Sequence, residues 1–467
     1  MKEGKREKKL LEFVRKYEKM LSDESSLFFD VDEFEQIGEF YLDNSSFEKV
    51  IVLCEYALLI YPDNLNIILL KGHALLGVGK ISEAKELLIR YKDKFGGNVD
   101  IYLLLAAVCS RLKEHQKAIE YYLLILKEAD KVLRLEVSFD LVYEYQLVND
   151  YSSAIDLLEE MIAIHFDNES VQFELAYCLD YEQKNDEAVL LFTSFTDDHP
   201  YSYTGWFNLG NFLLKVDRLD DALEAFELSC AIKIDYVPSM INCGMIYMIN
   251  EDYQKAIQCF NDVVKIENDN DFVFCALAEA YEMTDSFSKA IACYEKAVEV
   301  NSSSVEGLFG LAYLYHSNAE YKKAFSYIVQ ARKKDELNES VLLLFVQIKL
   351  ELADSFEVED ALVDFLSIKP DSLNVSLELA DYYYYNMNDI ILAFEVLDDG
   401  IYGEIDEKHI LVIRKVTYLH SEGQKQSAYN ELHFLLSFFD DKKFIADEIL
   451  AVSPEMMMDE VIIRLLS

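Results

Sequence analysis

Residues 203–236 read YTGWFNLGNFLLKVDRLDDALEAFELSCAIKIDY, and 237–270 read VPSMINCGMIYMINEDYQKAIQCFNDVVKIENDN. Residues 271–304 follow as DFVFCALAEAYEMTDSFSKAIACYEKAVEVNSSS, and 305–338 as VEGLFGLAYLYHSNAEYKKAFSYIVQARKKDELN. Set under one another at a spacing of 34 residues, the four stretches keep register without a gap. Trp206, Met240, Phe274 and Leu308 form one column; Gly210, Gly244, Ala278 and Ala312 a second; Ala222, Ala256, Ala290 and Ala324 a third. Each stretch has apolar residues at helical spacing, a polar corner such as NEDYQ or TDSFS, and a second helical run. The small residues let two helix backbones approach where they cross, and the large ones fill the gaps around that contact.

Extending the register backwards gives units starting near Val31, Leu65, Val99, Leu135 and Glu169, with two extra residues before Leu135. Forwards it gives units near Glu339, Leu373 and His409, the last two separated by two extra residues. About twelve units then cover residues 31–442. These columns resemble the tetratricopeptide repeat, a helix-turn-helix of about 34 residues. The stretch FEQIGEFYLDNSSFEKVIVLCEYALLIYPDNL carries Gly38, Tyr41, Ala57 and Pro62 where that pattern has them. The resemblance implies an all-α chain, a right-handed superhelical α-solenoid of stacked helical hairpins. Pro62, Pro200 and Pro370 fall at unit boundaries, and Pro238 at the start of a first helix, where its missing N–H costs little. Most other boundaries carry Asp, Asn or Ser, such as Asn268-Asp269 and Asn301-Ser302, which can cap the next helix. Val142, Val346 and Val416 replace the small residue at the close contact, so those hairpins are predicted to be splayed. The units after Glu339 match least well, and the join around Gly400 and Gly403 is expected to be irregular.

Composition agrees with this reading. The chain has 15 Gly and 5 Pro in 467 residues, where average usage gives roughly 33 and 23. Sandwiches, barrels and doubly wound sheets need many turns that these residues supply. There are 86 Asp+Glu against 43 Lys+Arg, a net charge of −43, yet 52% of residues are apolar, so the chain is a folded acidic protein. That charge opposes nucleic acid and anionic lipid as main partners. No long apolar span or signal segment is visible, which points to the cytosol. The eight widely spaced cysteines read as reduced core residues.

Residues 1–30 are expected to form a capping helix with the stripe Leu10, Leu11, Phe13, Val14, Tyr17 and Leu21. Its first 20 residues hold eight Lys+Arg and four Asp+Glu, which suits either a solubilising cap or an arm reaching a membrane or nucleic acid. Residues 443–467 read as two short capping helices broken at Ser453-Pro454. The last of these, with Met456, Met457, Met458, Val461, Ile462, Ile463, Leu465 and Leu466, either packs on the final repeat or forms a self-association surface.

No phosphate loop, paired Cys-x-x-Cys, His-Glu-x-x-His or Gly-x-Ser-x-Gly is present, and the eight histidines are scattered, mostly at expected corners and surfaces. The sequence therefore suggests no enzyme, no cofactor and no metal site. A weakly cation-binding acidic cluster is the remaining enzymatic alternative. Function is expected on the concave face of a solenoid, lined by the first helix of every unit. The inward residues are predicted to be the second, fifth, ninth and twelfth of each unit. Of these 48 positions none is Lys or Arg and ten are Asp or Glu. This argues against the cochaperone mode of the family, in which cations hold an acidic C-terminus. Phe139, Phe173, Phe207, Ile241, Cys275 and Phe309 form one row, and Tyr143, Tyr177, Asn211, Met245, Glu279 and Tyr313 a second. These rows are either anchors for a partner or packing against the next unit. Asp32, Glu35, Glu39, Asp180, Glu279 and Glu282 flank them. The expected role is a non-catalytic interaction scaffold for an extended or helical protein segment, basic and apolar. The alternative is a homo-oligomer assembled through the C-terminal helix.

Overall fold

The computed structural model describes residues 3–22, 27–96, 98–352, 357–403 and 405–466. Among these residues every regular element is helical. Twelve hairpins run from Val31–Asp43 with Phe47–Ile60 to Lys408–Ser421 with Lys425–Leu435. The helix Glu3–Ser22 precedes them, and Lys442–Val452, a 3-10 turn Pro454–Met458 and Glu460–Leu466 follow. The chain divides into two compact units, Met1–Ile234 and Asp235–Ser467. Within each unit a second helix packs on the first helix of the next hairpin, and neighbouring first helices touch. Each hairpin thus buries its apolar stripe only between its sequence neighbours.

The 34-residue period is written in the backbone as well as in the side chains. Ser45, Gly79, Lys113, Asn149, Gln183, Asp217, Glu251, Asp285 and Ala319 all have positive φ at the hairpin corner. A left-handed residue there ends the first helix and turns the chain into the second. Successive corners are 34 residues apart, except across Lys113 to Asn149, where the two extra residues lie. That insertion does not leave a longer loop. The first helix starts at Lys131 rather than near Leu135 and runs to Leu147, gaining a turn, while the preceding helix ends early at Leu126.

The first-helix caps sit later than expected. Asn270 and Ser304, directly before their helices, accept from the backbone of Val273 and Gly307. Asn301 instead closes the preceding helix, and its amide donates to Asp271 at 2.9 Å. A cap must stand where the chain is still extended but its oxygen reaches the N–H three residues on, which only the last boundary residue does. Asp30, Asn64, Asn98, Asn168, Ser202, Asn338 and Ser372 occupy that same place.

The close-contact column behaves unevenly. A Cβ at Gly244 would lie 2.5 Å from Cε1 of Phe260, and one at Gly210 2.7 Å from Cε1 of Phe226. The rings of the second helices therefore occupy the glycine's missing side chain. Of the three valine positions, Val346 accompanies a hairpin whose helices Glu339–Glu351 and Val358–Ile368 touch only sparsely, but Glu169–Tyr181 and Asn185–Asp198, with Ala176 in that column, touch about as sparsely, so the valine does not account for the loose pair. Lys131–Leu147 with Tyr151–Ile164, where Val142 stands, packs as closely as Leu65–Gly77 with Ile81–Lys92, where Gly72 stands, so it is not splayed. The prediction also fails at Val416: Lys408–Ser421 and Lys425–Leu435 pack nearly as closely as the regular pairs, with Val416 wholly buried.

Of the two extra residues between the units near Leu373 and His409, one is absorbed in a π-helical turn, Tyr382–Asn386, which delays the corner to Asn388. Gly400 lies inside the helix Ile390–Tyr402 and is buried, so the irregular join begins only at Gly403; Glu404 lies outside the described residues.

At the N-terminal end Val14, Tyr17 and Met20 are buried, Leu10 and Phe13 half-buried, and Leu11 and Leu21 exposed. Met20 replaces the two expected leucines because it follows Tyr17 by three residues, on the face turned to the first hairpin. Residues 1–2 and 23–26 of the expected capping segment lie outside the described residues. At the other end Met456 and Ile462 are fully buried in the core of the last hairpins. Asp459 fixes this segment. It accepts from Lys425 at 2.8 Å, from Tyr429 at 2.9 Å and lies 3.3 Å from Nε2 of His420. Met458 stays 83% exposed, with Val461 and Ile463 also at the surface. All eight cysteines are free thiols, five of them buried.

Candidate functional site

The first helices present one continuous face in each compact unit, and the two expected rows take different roles on it. In the first unit Phe139 and Phe207 are half-buried and Phe173 is 38% exposed. Phe173 meets Phe207 edge-on at 6.3 Å, and Phe207 lies 5.9 Å from Phe226 of its own second helix. In the second unit Ile241 and Phe309 are half-buried, and Cys275 is buried beside Ser304. The fifth-position row therefore packs the seams between hairpins. The ninth-position row points outward: Tyr143 is 57%, Tyr177 53% and Tyr313 48% exposed, with Met245 and Glu279 also exposed. Asn211 is half-buried. The two residues four apart on a helix share a face but differ in depth, which sequence spacing alone does not separate.

Tyr177 belongs to a cluster that the repeat columns did not single out. Tyr151, at the start of a second helix, stacks on Tyr181 at 4.0 Å and lies 6.5 Å from Tyr177. Desolvation and the two neighbouring phenols push Tyr151 up to about 12. A cleft of about 510 Å³ opens beside this cluster, lined by Tyr177, Asp180, Asn208, Asn211 and Lys215.

The acidic positions are not equivalent either. Lys215, one residue beyond the twelfth position of its unit, forms an ion pair with Asp180. Asp381 is held by Arg414 and Tyr418, and Tyr384 of the π-helical turn stacks on Tyr418 at 4.1 Å. Cations absent from the 48 positions thus reach the face from neighbouring ones. Glu279, Glu282 and Glu306 have no Lys or Arg partner among the described residues. Glu282 accepts from the Tyr294 hydroxyl at 2.6 Å. Burial, then the charges of Glu282 and Glu306, push the Glu279 carboxyl above its ordinary range, and burial does the same to Glu282. Glu279 and Glu306 are exposed and Glu282 half-buried, so all three can be reached, and they crowd like charge without counter-charge, an arrangement that favours an approaching cation.

The histidines are more embedded than expected. His199 stacks on Phe166 at 4.3 Å and His409 on Phe439 at 4.1 Å, while His115 bonds the buried Glu144 at 2.8 Å. An imidazole fills a seam between repeats because it offers both a flat ring and a polar edge. Among the described residues no group of His, Cys, Asp and Glu is arranged to hold a metal ion, and no helix is long and apolar enough to cross a membrane.

A family model described as Tetratricopeptide repeat matches residues 69–131, 173–236 and 275–336, and a second of the same description matches 237–270. The second match coincides with one unit as read from the spacing. No curated protein matches the chain. Among solved structures, the APC/C hetero-tetramer Cut9–Hcn1 is 13% identical, over 80% of this chain and 93% of that one, with a TM-score of 0.39. YrrB, described as a TPR protein with an unusual peptide-binding site, is 17% identical over 39% of this chain and 95% of its own, with a TM-score of 0.34. PilF of Pseudomonas aeruginosa is 16% identical over 46% and 97%, with a TM-score of 0.40.

Proposed function

The chain belongs to the tetratricopeptide-repeat family, and from that membership we propose that it is a non-catalytic interaction scaffold whose first-helix face receives a basic, apolar segment of a partner protein. The observation that carries this reading is that the second unit exposes Met245 and Tyr313 on its first helices together with Glu279 and Glu306, which have no Lys or Arg partner among the described residues, while the first unit exposes Tyr143 and Tyr177 at the same positions of its own. Tyrosines supply rigid contact area at low entropic cost, and the carboxylates select cations and exclude acidic segments. Asp180 contributes less to that selection, because Lys215 already neutralises it. Binding to peptide arrays tests the reading. Wild type is expected to favour peptides mixing Lys or Arg with Leu, Phe or Tyr, and Tyr143→Ala with Tyr177→Ala to weaken capture by about tenfold or more. These two tyrosines are the cleaner probe than Phe173 and Phe207, whose rings pack the seam. Retention of full binding by the double variant removes the face from the account.

The exposed Met458, Val461 and Ile463 support a second reading, self-assembly through the C-terminal helix. Val461→Glu with Ile463→Glu leaves the buried Met456 and Ile462 in place. An unchanged mass by light scattering for that variant dismisses the second reading.

A further inference from the structure

We propose that the outward face of the N-terminal helix Glu3–Ser22 docks on the first-helix face around Glu279 and Glu306 of a second copy of this chain. The inference rests on the reading of that face as a seat for a basic, apolar segment, and it names the segment. The inner side of Glu3–Ser22 is committed to its own first hairpin through Val14, Tyr17 and Met20. Lys16 donates to the Phe28 carbonyl at 3.1 Å, and Glu18 accepts from Lys49 at 2.9 Å, so the charges at this seam are also in use. The outer side carries Lys8, Leu11, Arg15 and Lys19, all exposed. Their spacing of three and four residues sets them in one stripe along the helix. None of these three cations has a carboxylate partner among the described residues.

Charge complementarity selects the occupant. Residues 1–20 hold eight Lys+Arg against four Asp+Glu, whereas the rest of the chain carries −47. The receiving face offers Glu279 and Glu306 without cations and Tyr313 exposed beside Phe309, stacked at 6.4 Å. An ammonium or guanidinium placed there relieves the mutual repulsion of Glu279, Glu282 and Glu306, and Leu11 between the cations meets the tyrosine. Segment and seat belong to the same molecule, so each is present at the concentration of the other whenever the protein is.

Sedimentation equilibrium of the full chain over a wide range of concentration, at low and high salt, provides the test. The expected result is a reversible increase in mass whose dissociation constant rises about tenfold or more between 0.05 and 0.5 M salt. The triple variant Lys8→Glu, Arg15→Glu, Lys19→Glu is expected to be monomeric with an unchanged melt, because none of the three side chains is packed. Glu279→Gln with Glu306→Gln is expected to be monomeric as well. A monomeric wild type at low salt overturns the proposal, and so does either variant keeping wild-type mass. Should a monomeric wild type bind phosphatidylserine vesicles and the triple variant not, the helix serves a membrane and the proposal falls. The peptide array reads the face separately: a monomeric wild type that still captures basic peptides through Tyr143 and Tyr177 leaves that reading standing without this one.

Discussion

At the scale of single residues, backbone geometry and close packing separate positions that the repeat columns treat alike. Gly244 looks like one glycine among several, yet its Cβ would collide with the buried Phe260 ring at 2.5 Å. Gly244→Ala is expected to lower stability by about 1–3 kcal/mol in urea melts, the cost of overpacking a rigid seam. Ala319 stands at a corner with φ of 58°, where a Cβ is a burden. Ala319→Gly is expected to stabilise by up to about 1 kcal/mol, since the relief of a left-handed alanine exceeds the entropy lost with glycine. Glu279 links stability to the binding role proposed for its face. Its carboxyl is raised, so the folded chain is favoured below that raised value and loses this contribution as pH rises through it. Glu279→Gln should therefore raise Tm at neutral pH while weakening capture of basic peptides. A variant that loses both, or keeps both, contradicts the assignment of Glu279 to the face.

At the scale of elements, helices here are held by what stands just outside them. The asparagine, serine or aspartate before most first helices supplies the acceptor that the proline-poor boundaries would otherwise lack. Beside the buried Ile445, Ile449, Met456 and Ile462, the C-terminal segment is tied down by Asp459, whose carboxyl is held far below the usual range, chiefly by Lys425 and then by Tyr429 and His420. A depressed carboxyl contributes stability above the unfolded aspartate value of about 4, and that contribution drains away as pH falls below it. Asp459→Asn is thus expected to release Lys442–Val452 and Glu460–Leu466 at neutral pH, seen as faster amide exchange there and little change in residues 271–334. Slow exchange of both helices in the variant would show that Met456 and Ile462 alone hold the segment. The π-helical turn shows the converse: an inserted residue is tolerated where Asp381, Arg414, Tyr384 and Tyr418 lock the wider turn in place.

At the scale of the whole molecule, each of the two compact units stacks hairpins that touch only their neighbours, so neither has a single core whose loss unfolds it all at once. The hairpin Glu339–Glu351 with Val358–Ile368 is the loosest regular pair, and a cleft of about 460 Å³ opens there, lined by Phe325, Phe345 and Phe365. Native-state hydrogen exchange is expected to find its lowest opening free energy in Val358–Ile368, well below that of Phe287–Val300. A uniform opening energy across the two segments would mean that the stack unfolds as one body.

The repeat, its period and its helical character were legible because they depend on local facts: apolar spacing, corner chemistry and small residues at fixed intervals, all copied along the chain. Gly210 and Gly244, the proline boundaries and the unit 237–270 could be read that way. The sequence alone also determined the acidity of the first-helix face and the absence of Lys and Arg from its 48 inner positions. Only the tertiary structure decided which of those acids are compensated, since Lys215 and Arg414 reach Asp180 and Asp381 from other hairpins. It likewise decided that Phe207 packs while Tyr177 is exposed, that Val416 is accommodated in a close hairpin, and that Met20 rather than Leu21 faces the first hairpin. Those outcomes depend on depth and on partners distant in sequence. A one-dimensional pattern carries the direction a side chain leaves its helix, but not what waits at the end of it.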